Sequence, residues 1–325
     1  MIGKIPHDFP FPEYDPKTRA DVLHTCIKMN NYFRDHDSIA ISVSGGSDSD
    51  CIVHLVCKYF PEYIEKCKFV FVNTGLEYDA TKRHLCDLEK RYGITIDRIR
   101  GMSVVTSCKK YGFPILNKAK AHYLDMYRRR TPKGYYLVFE ANEKYMQFRF
   151  TERERELARY LDDNNINVSS RCCDESKKKP IHAFHKANNV DMTVTGERKA
   201  EGGQRATVNK SCFSENVHGI DKYMPLFWWS DETKADFKAK EEIRYSDCYE
   251  VWGMKRTGCV GCPFGKDTAH ELELMYQYEP KLYKAVMAVF GQAYELTDRF
   301  NCRRKKCLPD SFQMTITGEI ERNKP

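Results

Sequence analysis

Two groups of residues in this sequence have the types and the spacing that chemistry requires. One is a glycine-rich loop, Ser44-Gly45-Gly46-Ser47-Asp48-Ser49, which follows a short apolar segment and precedes a helical pattern. Glycines in such a loop allow backbone N–H groups to approach a phosphate, and the N-terminus of the following helix adds further donors. The other group is four thiols, Cys172-Cys173 and Cys259-Val260-Gly261-Cys262, whose thiolates could bind zinc or an iron–sulfur cluster. The sequence therefore predicts a phosphate-binding loop and a metal centre.

The loop lacks the lysine of the Walker A pattern, which argues against transfer of a γ-phosphate. It resembles the SGGxDS loop of the PP-loop ATP pyrophosphatases. The resemblance implies that five loop residues bind the phosphates of ATP: Ser44, Gly45, Gly46, Ser47 and Ser49. It further implies that Asp48 is a catalytic residue that helps to place Mg²⁺ when ATP is the nucleotide.

Two further segments extend the resemblance. Asn73-Thr74-Gly75-Leu76-Glu77 is similar to the strand-end motif of the phosphoadenosine-phosphosulfate reductase branch of the superfamily, which implies that Thr74, Gly75 and Glu77 contact the nucleotide. The segment from Gly196 to Arg205 is similar to the G-x-R-x-x-E…R loop of that branch. This likeness assigns Gly196 to the nucleotide site and Arg198 and Arg205 to phosphate or sulfate, which a planar guanidinium fits well. The alternative for both arginines is surface ion pairing with Glu197 and Glu201.

The four thiols leave three interpretations open. Adjacent cysteines fit a single tetrahedral ion poorly because neighbouring side chains diverge, and the Cys-Cys plus CxxC arrangement resembles the [4Fe–4S] ligands of assimilatory adenylylsulfate reductases. The resemblance implies that Cys172, Cys173, Cys259 and Cys262 hold such a cluster, with zinc or unligated thiols as the alternatives. Cys302 and Cys307 could form a redox pair, supply an extra ligand or be inert.

Apolar segments at residues 39–43, 68–72, 94–99 and 192–195 read as strands that alternate with helical patterns. This rhythm predicts a doubly wound, mostly parallel α/β sheet whose ligands bind beyond the carboxyl ends of the strands. The resemblance implies an adenine nucleotide alpha-hydrolase-like fold. Three regions are predicted: an N-terminal helical segment at 1–36, a PP-loop domain at 37–235 with a helical insertion at about 114–168, and a helical, cysteine-bearing region at 236–325.

Composition limits the kind of protein. A chain of 325 residues with 41% hydrophobic residues can bury a full core, and the formal charge of +7 favours a polyanionic ligand. Basic clusters at 128–130, 177–179 and 303–306 could contact anions or nucleic acid, or could be solvated faces. Without a signal peptide or an apolar run of about 20 residues, we expect a cytoplasmic protein with no membrane contact, whose 14 cysteines are not in disulfides.

Two enzymatic functions fit the resemblance. An ATP pyrophosphatase holds the β,γ-pyrophosphate in the loop and adenylylates a target so that sulfur replaces oxygen. A sulfonucleotide reductase binds adenylylsulfate or its 3′-phosphorylated form, releases sulfite, and carries a catalytic cysteine in a Glu-Cys-Gly type tail. Because Cys307 is the last cysteine here, the interpretation favours ATP-dependent sulfur insertion with a cluster, like DNA phosphorothioation or tRNA thiolation.

A non-catalytic nucleotide-sensing regulator is a third alternative, from a different class of protein. The partners implied by the enzymatic interpretations are a nucleotide, a nucleic-acid acceptor, and a sulfur donor or thiol reductant protein. An oligomer is compatible with all three interpretations.

Overall fold

The computed structural model describes residues 10–141, 149–202 and 209–309, together with the backbone of 312–314 and 320–322. The chain divides into two compact units. The first takes the described parts of Met1–Val72, Ala80–Ile99 and Ile181–Thr257, and the second takes those of Asn73–Asp79, Arg100–Pro180 and Gly258–Pro325. The three regions predicted from the sequence remain a prediction.

The strands are β1 (Ile39–Ser42), β2 (Cys67–Asn73), β3 (Ile96–Arg100), β4 (Met192–Val194), β5 (Phe213–Val217), β6 (Ile220–Tyr223), β7 (Phe312–Met314) and β8 (Ile320–Arg322). The α-helices are α1 (Pro16–Asp35), α2 (Ser47–Tyr59), α3 (Asp79–Tyr92), α4 (Val104–Tyr111), α5 (Lys118–Arg128), α6 (Pro132–Tyr135), α7 (Glu152–Asp163), α8 (Arg171–Cys173), α9 (Lys179–Ala187), α10 (Asp231–Lys240), α11 (Asp247–Glu250), α12 (Thr268–Tyr278) and α13 (Pro280–Arg299). Short 3-10 or π turns lie at Pro61–Lys66, Tyr136–Glu140, Asp174–Lys178 and Lys199–Glu201.

The first unit is built on a six-stranded sheet in the order β3-β2-β1-β4-β6-β5. β1 pairs in parallel with β2 and β4, β4 pairs in parallel with β6, and β5 is antiparallel to β6. This confirms the predicted mostly parallel sheet. Ile39 and Ile41 pack into the main core, whereas Ala40 packs on the other face against Val70 and Val190. A strand buried on both faces is the mark of a sheet covered by helices on each side.

The predicted strands at 39–43, 68–72, 94–99 and 192–195 are confirmed as β1 to β4 with small shifts of their ends. Two differences have physical reasons. α2 begins at Ser47, so the second half of the glycine-rich loop is also the first turn of the helix. β5 and β6 were not predicted, because Asn216, His218 and Gly219 interrupt the apolar pattern with residues in the left-handed region.

The second unit is mainly helical. It contains α5 to α7, within the region predicted as a helical insertion at about 114–168, and the long α13. One face of α13 is buried through residues at helical spacing, including Tyr283, Val286, Phe290 and Tyr294. Within the described ranges, no helix combines the length and the apolar character that a membrane span requires.

Candidate functional site

The glycine-rich loop of the first unit connects the carboxyl end of β1 to the N-terminus of α2. Ser49 closes the loop, since its hydroxyl donates to the Gly46 carbonyl at 2.7 Å and accepts from the Gly46 N–H at 3.2 Å. Gly45 has a φ of +66°, and a Cβ at this position would lie 2.6 Å from Cγ2 of Thr81. The positive φ and the lack of space for a Cβ both require glycine at position 45. The loop thus presents backbone beside the start of a helix, where anions bind.

Two cations fix the Asp48 carboxylate. Arg198 Nε donates to Asp48 Oδ1 at 2.8 Å, and Lys234 Nζ lies 3.0 Å from the same oxygen. Lys234 Nζ also donates to Ser47 Oγ at 3.0 Å. Gly196 packs on the loop from the segment after β4, because a Cβ there would lie 3.1 Å from the Ser49 nitrogen. The structure therefore brings Gly196 and Arg198 to the loop and adds Lys234, which the sequence analysis missed.

Arg198 is buried, with 4% of its surface exposed. Its other donors reach Asp231 Oδ1 at 2.8 Å and the Trp229 carbonyl at 3.3 Å. Burial alone would lower the pKa of the Arg198 guanidinium, but the two carboxylates outweigh it and raise that pKa. Arg198 therefore positions Asp48, and its predicted contact with phosphate or sulfate stays a prediction. Arg205 lies outside the described residues.

The ion pairs proposed as the alternative for Arg198 are made by other residues. Glu197 binds Lys222 at 2.8 Å, and Glu201 lies 3.8 Å from Arg256. The two carboxylates that Arg198 does bind, Asp48 and Asp231, lie 150 and 33 positions away in the chain. Sequence proximity therefore pointed to the wrong acids for this arginine.

The predicted second nucleotide loop, residues 73–77, belongs to the second unit. Glu77 Oε1 accepts from the Thr74 N–H at 2.9 Å and from the Thr74 hydroxyl at 2.6 Å. Gly75 has a φ of +90°, and a Cβ there would lie 2.8 Å from Cβ of Ser103. The Thr74 carbonyl accepts from the Val104 N–H at 2.8 Å, which fixes the loop to the start of α4. Glu77 thus shapes this loop, and its contact with a nucleotide remains a prediction.

The predicted metal-binding cysteines also lie in the second unit. Cys172 and Cys173 are in α8, and Cys259 and Cys262 are in the turn that precedes α12. The Cys262 N–H donates to the Cys259 carbonyl at 3.1 Å. Burial raises the pKa of Cys262 to about 12, with Cys259 and Cys173 acting in the same direction. Burial also raises the pKa of Cys259, and Cys173 adds to that shift. The two pairs therefore lie within electrostatic reach of each other.

The structure places these thiols near one another, but not in the arrangement that a single metal ion would need. Among the residues it describes, no three His, Cys, Asp or Glu side chains converge as a metal ion would require. The backbone N–H of Phe264 acts against the rise in the pKa of Cys262. Backbone N–H groups near the sulfur support thiolate ligands.

Gly261, inside the Cys259–Cys262 turn, is held from two sides by residues that the sequence analysis missed. Its N–H donates to Glu271 Oε1 at 3.0 Å, and its carbonyl accepts from the hydroxyl of Tyr294. Its φ is +59°, and a Cβ would lie 2.3 Å from Cγ1 of Val286. Burial raises the pKa of Glu271, although the hydroxyl of Tyr78 also donates to it, at 2.6 Å. The turn that carries two of the thiols is therefore held in one shape.

Two more residues at the thiols were not assigned from the sequence. A hydrogen bond to Cys108 is the main cause that raises the pKa of Cys172. Burial would lower the pKa of Lys177, but the charge of Cys259 and a hydrogen bond to it outweigh burial and raise that pKa. Cys108 is a single cysteine outside the two close pairs, so its spacing gave no signal. Lys177 was placed in a basic cluster, but its neighbours Lys178 and Lys179 form exposed ion pairs instead.

Cys302 is partly buried and Cys307 is buried, and their role stays a prediction. Burial raises the pKa of Cys302 to about 12 and that of Cys307 to about 11. The Cys307 N–H donates to Asp298 Oδ1 at 2.7 Å. Arg303 Nη1 lies 3.9 Å from the Cys307 sulfur.

Comparison with protein families identifies the class of protein that carries these features. A family model described as phosphoadenosine phosphosulfate reductase domain matches residues 38–117 and 108–265. These ranges cover more than half of the chain, and the chain belongs to this family. The membership confirms the resemblance that the loop and strand-end motifs indicated, and it supports an enzyme that binds a nucleotide.

Individual relatives are distant. The chain is 25% identical over 236 residues to the uncharacterized protein MJ0066 of Methanocaldococcus jannaschii, covering 72% of this chain and 38% of that protein. It is 25% identical over 99 residues to an adenosine 5′-phosphosulfate reductase of Neisseria meningitidis, covering 30% of this chain and 39% of that enzyme. The matches thus span less than half the length of these two relatives.

Solved structures show weak similarity. The phosphoadenylyl-sulfate reductase of Candida auris has a TM-score of 0.45 at 13% identity, covering 77% of this chain and 97% of that one. The U34-tRNA thiolase NcsA of Methanococcus maripaludis, solved with its [4Fe–4S] cluster, has a TM-score of 0.40 at 12% identity, covering 94% and 91%.

Proposed function

We propose that this protein is a PP-loop ATP pyrophosphatase that activates an acceptor for sulfur insertion, with a nucleic acid as the acceptor and a [4Fe–4S] cluster as its cofactor. The observation that carries the proposal is the intact loop from Ser44 to Ser49, closed by Ser49 and backed by Arg198 and Lys234. Adenylylation of an acceptor releases pyrophosphate, so a site for the β,γ-phosphates is needed. A helix N-terminus with a nearby lysine supplies one.

The charges around Asp48 support a role with Mg²⁺. Arg198 and Lys234 both contact Oδ1, and the Asp48 carboxylate would help to hold the metal ion that accompanies ATP. The side chain of Lys234 is 16% exposed, so its ammonium is largely shielded from solvent. A shielded ammonium next to the loop would stabilise the negative charge of the leaving pyrophosphate more strongly than a solvated one.

The donor set fits a cluster. A thiol of each pair raises the pKa of a thiol in the other pair, and Gly261 is held by two side chains. We assign Cys172, Cys173, Cys259 and Cys262 as its ligands. When bound, the cluster would supply electron-transfer and sulfur-binding chemistry. The role of the polypeptide would be to fix the turn, to shield the sulfurs from solvent and to bring the Lys177 ammonium close to Cys259.

The test compares nucleotides on the anaerobically purified protein. We expect ATP to bind more tightly than adenylylsulfate or its 3′-phosphorylated form in calorimetry, by about tenfold or more, because only ATP offers β,γ-phosphates to the loop. Pyrophosphate release should depend on Mg²⁺ and on the acceptor. Gly45→Ala should abolish it, since the new Cβ meets Thr81. Gly93→Ala is the matched control, because Gly93 has a similar φ of +65° and nothing within 4 Å of its Cβ position.

If the protein is instead a sulfonucleotide reductase, the nucleotide comparison gives the opposite result. Tighter binding of a sulfonucleotide, together with sulfite release driven by a thiol reductant and lost in Cys302→Ser or Cys307→Ser, would replace the proposal with sulfonucleotide reduction. Binding of ATP without turnover of any acceptor nucleic acid or sulfonucleotide would favour the regulator.

A further inference from the structure

A cavity lies in the first unit and belongs to none of the motifs above. Its volume is about 580 Å³, within the range of sites for small molecules. It is lined by α3, from Ala80 to Arg91, and by residues 244–247, the last of which begins α11. No lining residue comes from the loop at 44–49, from the segment at 196–205 or from the cysteine pairs.

The lining carries an excess of positive charge. Four basic side chains, Arg83, Lys90, Arg91 and Arg244, face two acidic ones, Asp87 and Asp247, so four minus two leaves a formal charge of +2. Asp247 is shared between Arg83 and Arg244, each at 3.5 Å. One carboxylate at this distance does not neutralise two guanidinium groups. The arginines thus retain donors for an anion.

The helix dipole of α3 explains only part of this positive charge. Lys90 and Arg91 lie in the last turn of α3, where basic side chains offset the helix dipole. Arg83 lies earlier in α3, and Arg244 lies outside any helix, so the dipole does not explain them. Basic residues from two separate segments therefore meet at one cavity.

The cavity wall also contains a buried polar pair. His84, whose side chain is 8% exposed, lines the cavity, and its Nε2 lies 2.7 Å from Oδ2 of the fully buried Asp50. Asp50 Oδ1 is buried and has no hydrogen-bond partner among the described residues. A buried polar atom without a partner costs free energy, so the wall beside His84 is polar rather than purely apolar.

We propose that this cavity binds the phosphate group of a ligand through Arg83, Arg91 and Arg244, with His84 in its wall. Guanidinium groups match phosphate oxygens with two parallel hydrogen bonds. The phosphate comes either from a small phosphate monoester or from the backbone of a nucleic-acid strand. This proposal does not depend on the proposed activity, because none of these four residues is among those proposed to hold ATP.

The experiment uses two probes on the full-length protein: ribose 5-phosphate, which carries one monoester, and unphosphorylated hexathymidylate, which carries only diesters. The double variant Arg91→Glu/Arg244→Glu is compared with Lys82→Glu/Lys186→Glu, a matched charge reversal at exposed positions that do not line the cavity. We expect at least about tenfold weaker binding of one probe by the cavity variant and unchanged binding by the control. The cavity variant should also show a smaller salt dependence of affinity.

The probe that responds identifies the source of the phosphate, a small monoester or a strand. Circular dichroism and ATP affinity, measured in parallel, should be unchanged in both variants, which separates loss of the cavity from loss of the fold. If wild-type protein binds neither probe, or if the cavity and control variants bind both probes equally, the proposal is overturned.

Discussion

Arg198 donates from Nε to Oδ1 of Asp48 at 2.8 Å, across 150 residues of chain. This bond joins the segment after β4 to the first turn of α2. It means that the geometry of the glycine-rich loop depends on a buried ion pair as well as on its own glycines. The first prediction follows from it.

Asp48→Asn should cost about 3 kcal/mol of stability and abolish pyrophosphate release, because it leaves the buried Arg198 without its inner charge partner. Asp231→Asn is the control. It removes the other carboxylate bound by Arg198, but the Asp231 side chain is 75% exposed, so the expected loss is below about 1 kcal/mol. Urea denaturation measures both. Equal losses for the two variants would show that Arg198 does not depend on Asp48.

Gly261→Ala should destabilise the protein by about 3 kcal/mol and reduce iron retention. The alanine adopts a left-handed φ and also meets Val286, so backbone strain of about 1 kcal/mol adds to overpacking. Gly253→Ala separates the two causes, since Gly253 has a φ of +69° but open space around its Cβ position. It should cost about 1 kcal/mol. Thermal denaturation and iron analysis give the readouts, and a Gly261→Ala protein no less stable than Gly253→Ala would refute the clash.

The anaerobically purified protein should be brown and contain about four irons per chain with matching sulfide. Cys172→Ser, Cys173→Ser, Cys259→Ser and Cys262→Ser should each lose most of this iron. Cys108→Ser is the matched control, because Cys108 raises the pKa of Cys172 without belonging to either close pair. It should retain iron. Stoichiometric zinc without sulfide would refute the cluster, and iron loss in Cys108→Ser would make Cys108 a ligand.

The stability of the protein should fall in acid partly through Glu241, whose side chain is fully buried. Burial alone would raise the pKa of Glu241, but hydrogen bonds from His54, Lys58, Tyr14 and Tyr59 outweigh it and lower that pKa to about 2. The folded pKa thus lies below the ordinary value of 4.5. The stabilisation by this carboxylate is therefore full above about pH 4.5 and is lost as the pH falls toward 2.

Glu241→Gln tests this pH dependence. The variant should be about 3 kcal/mol less stable than wild type at pH 7, because His54 and Lys58 lose a buried charge partner. The difference should shrink between pH 4.5 and pH 3 in urea denaturation. A difference that stays constant over this range would refute the assignment, and Glu273→Gln, at an exposed position, serves as the control.

The fold and the loop were predictable because their signals are local. β1 and the residues from Ser44 to Ser49 are adjacent in the chain, and the alternation of apolar segments with helical patterns determines the sheet. Lys234 was not predictable, since it reaches the loop from α10, 186 positions beyond Asp48. A single lysine near the start of a helix has no sequence pattern that marks it as part of a site.

The thiol region likewise combines residues that the sequence indicates with residues that it does not. The spacing of the two cysteine pairs singled out the four thiols, but Glu271 and Tyr294 act on Gly261 from two different helices. Cys108, in α4, affects the pKa of Cys172, but isolated cysteines in apolar surroundings are usually structural. Such support comes from tertiary contacts that only the folded chain reveals.

The division of the chain into two units has a consequence for how it is made. The chain leaves the first unit at Asn73, returns at Ala80, leaves again at Arg100, returns at Ile181 and leaves finally at Gly258. Each unit is thus assembled from three separate stretches. Pairings between distant stretches form slowly, because the intervening loops must close first. During synthesis on a ribosome, the first unit cannot be completed until the residues near 257 have been made. Because the stretches of the two units alternate, no single cut in the chain would yield a fragment that contains one whole unit and none of the other.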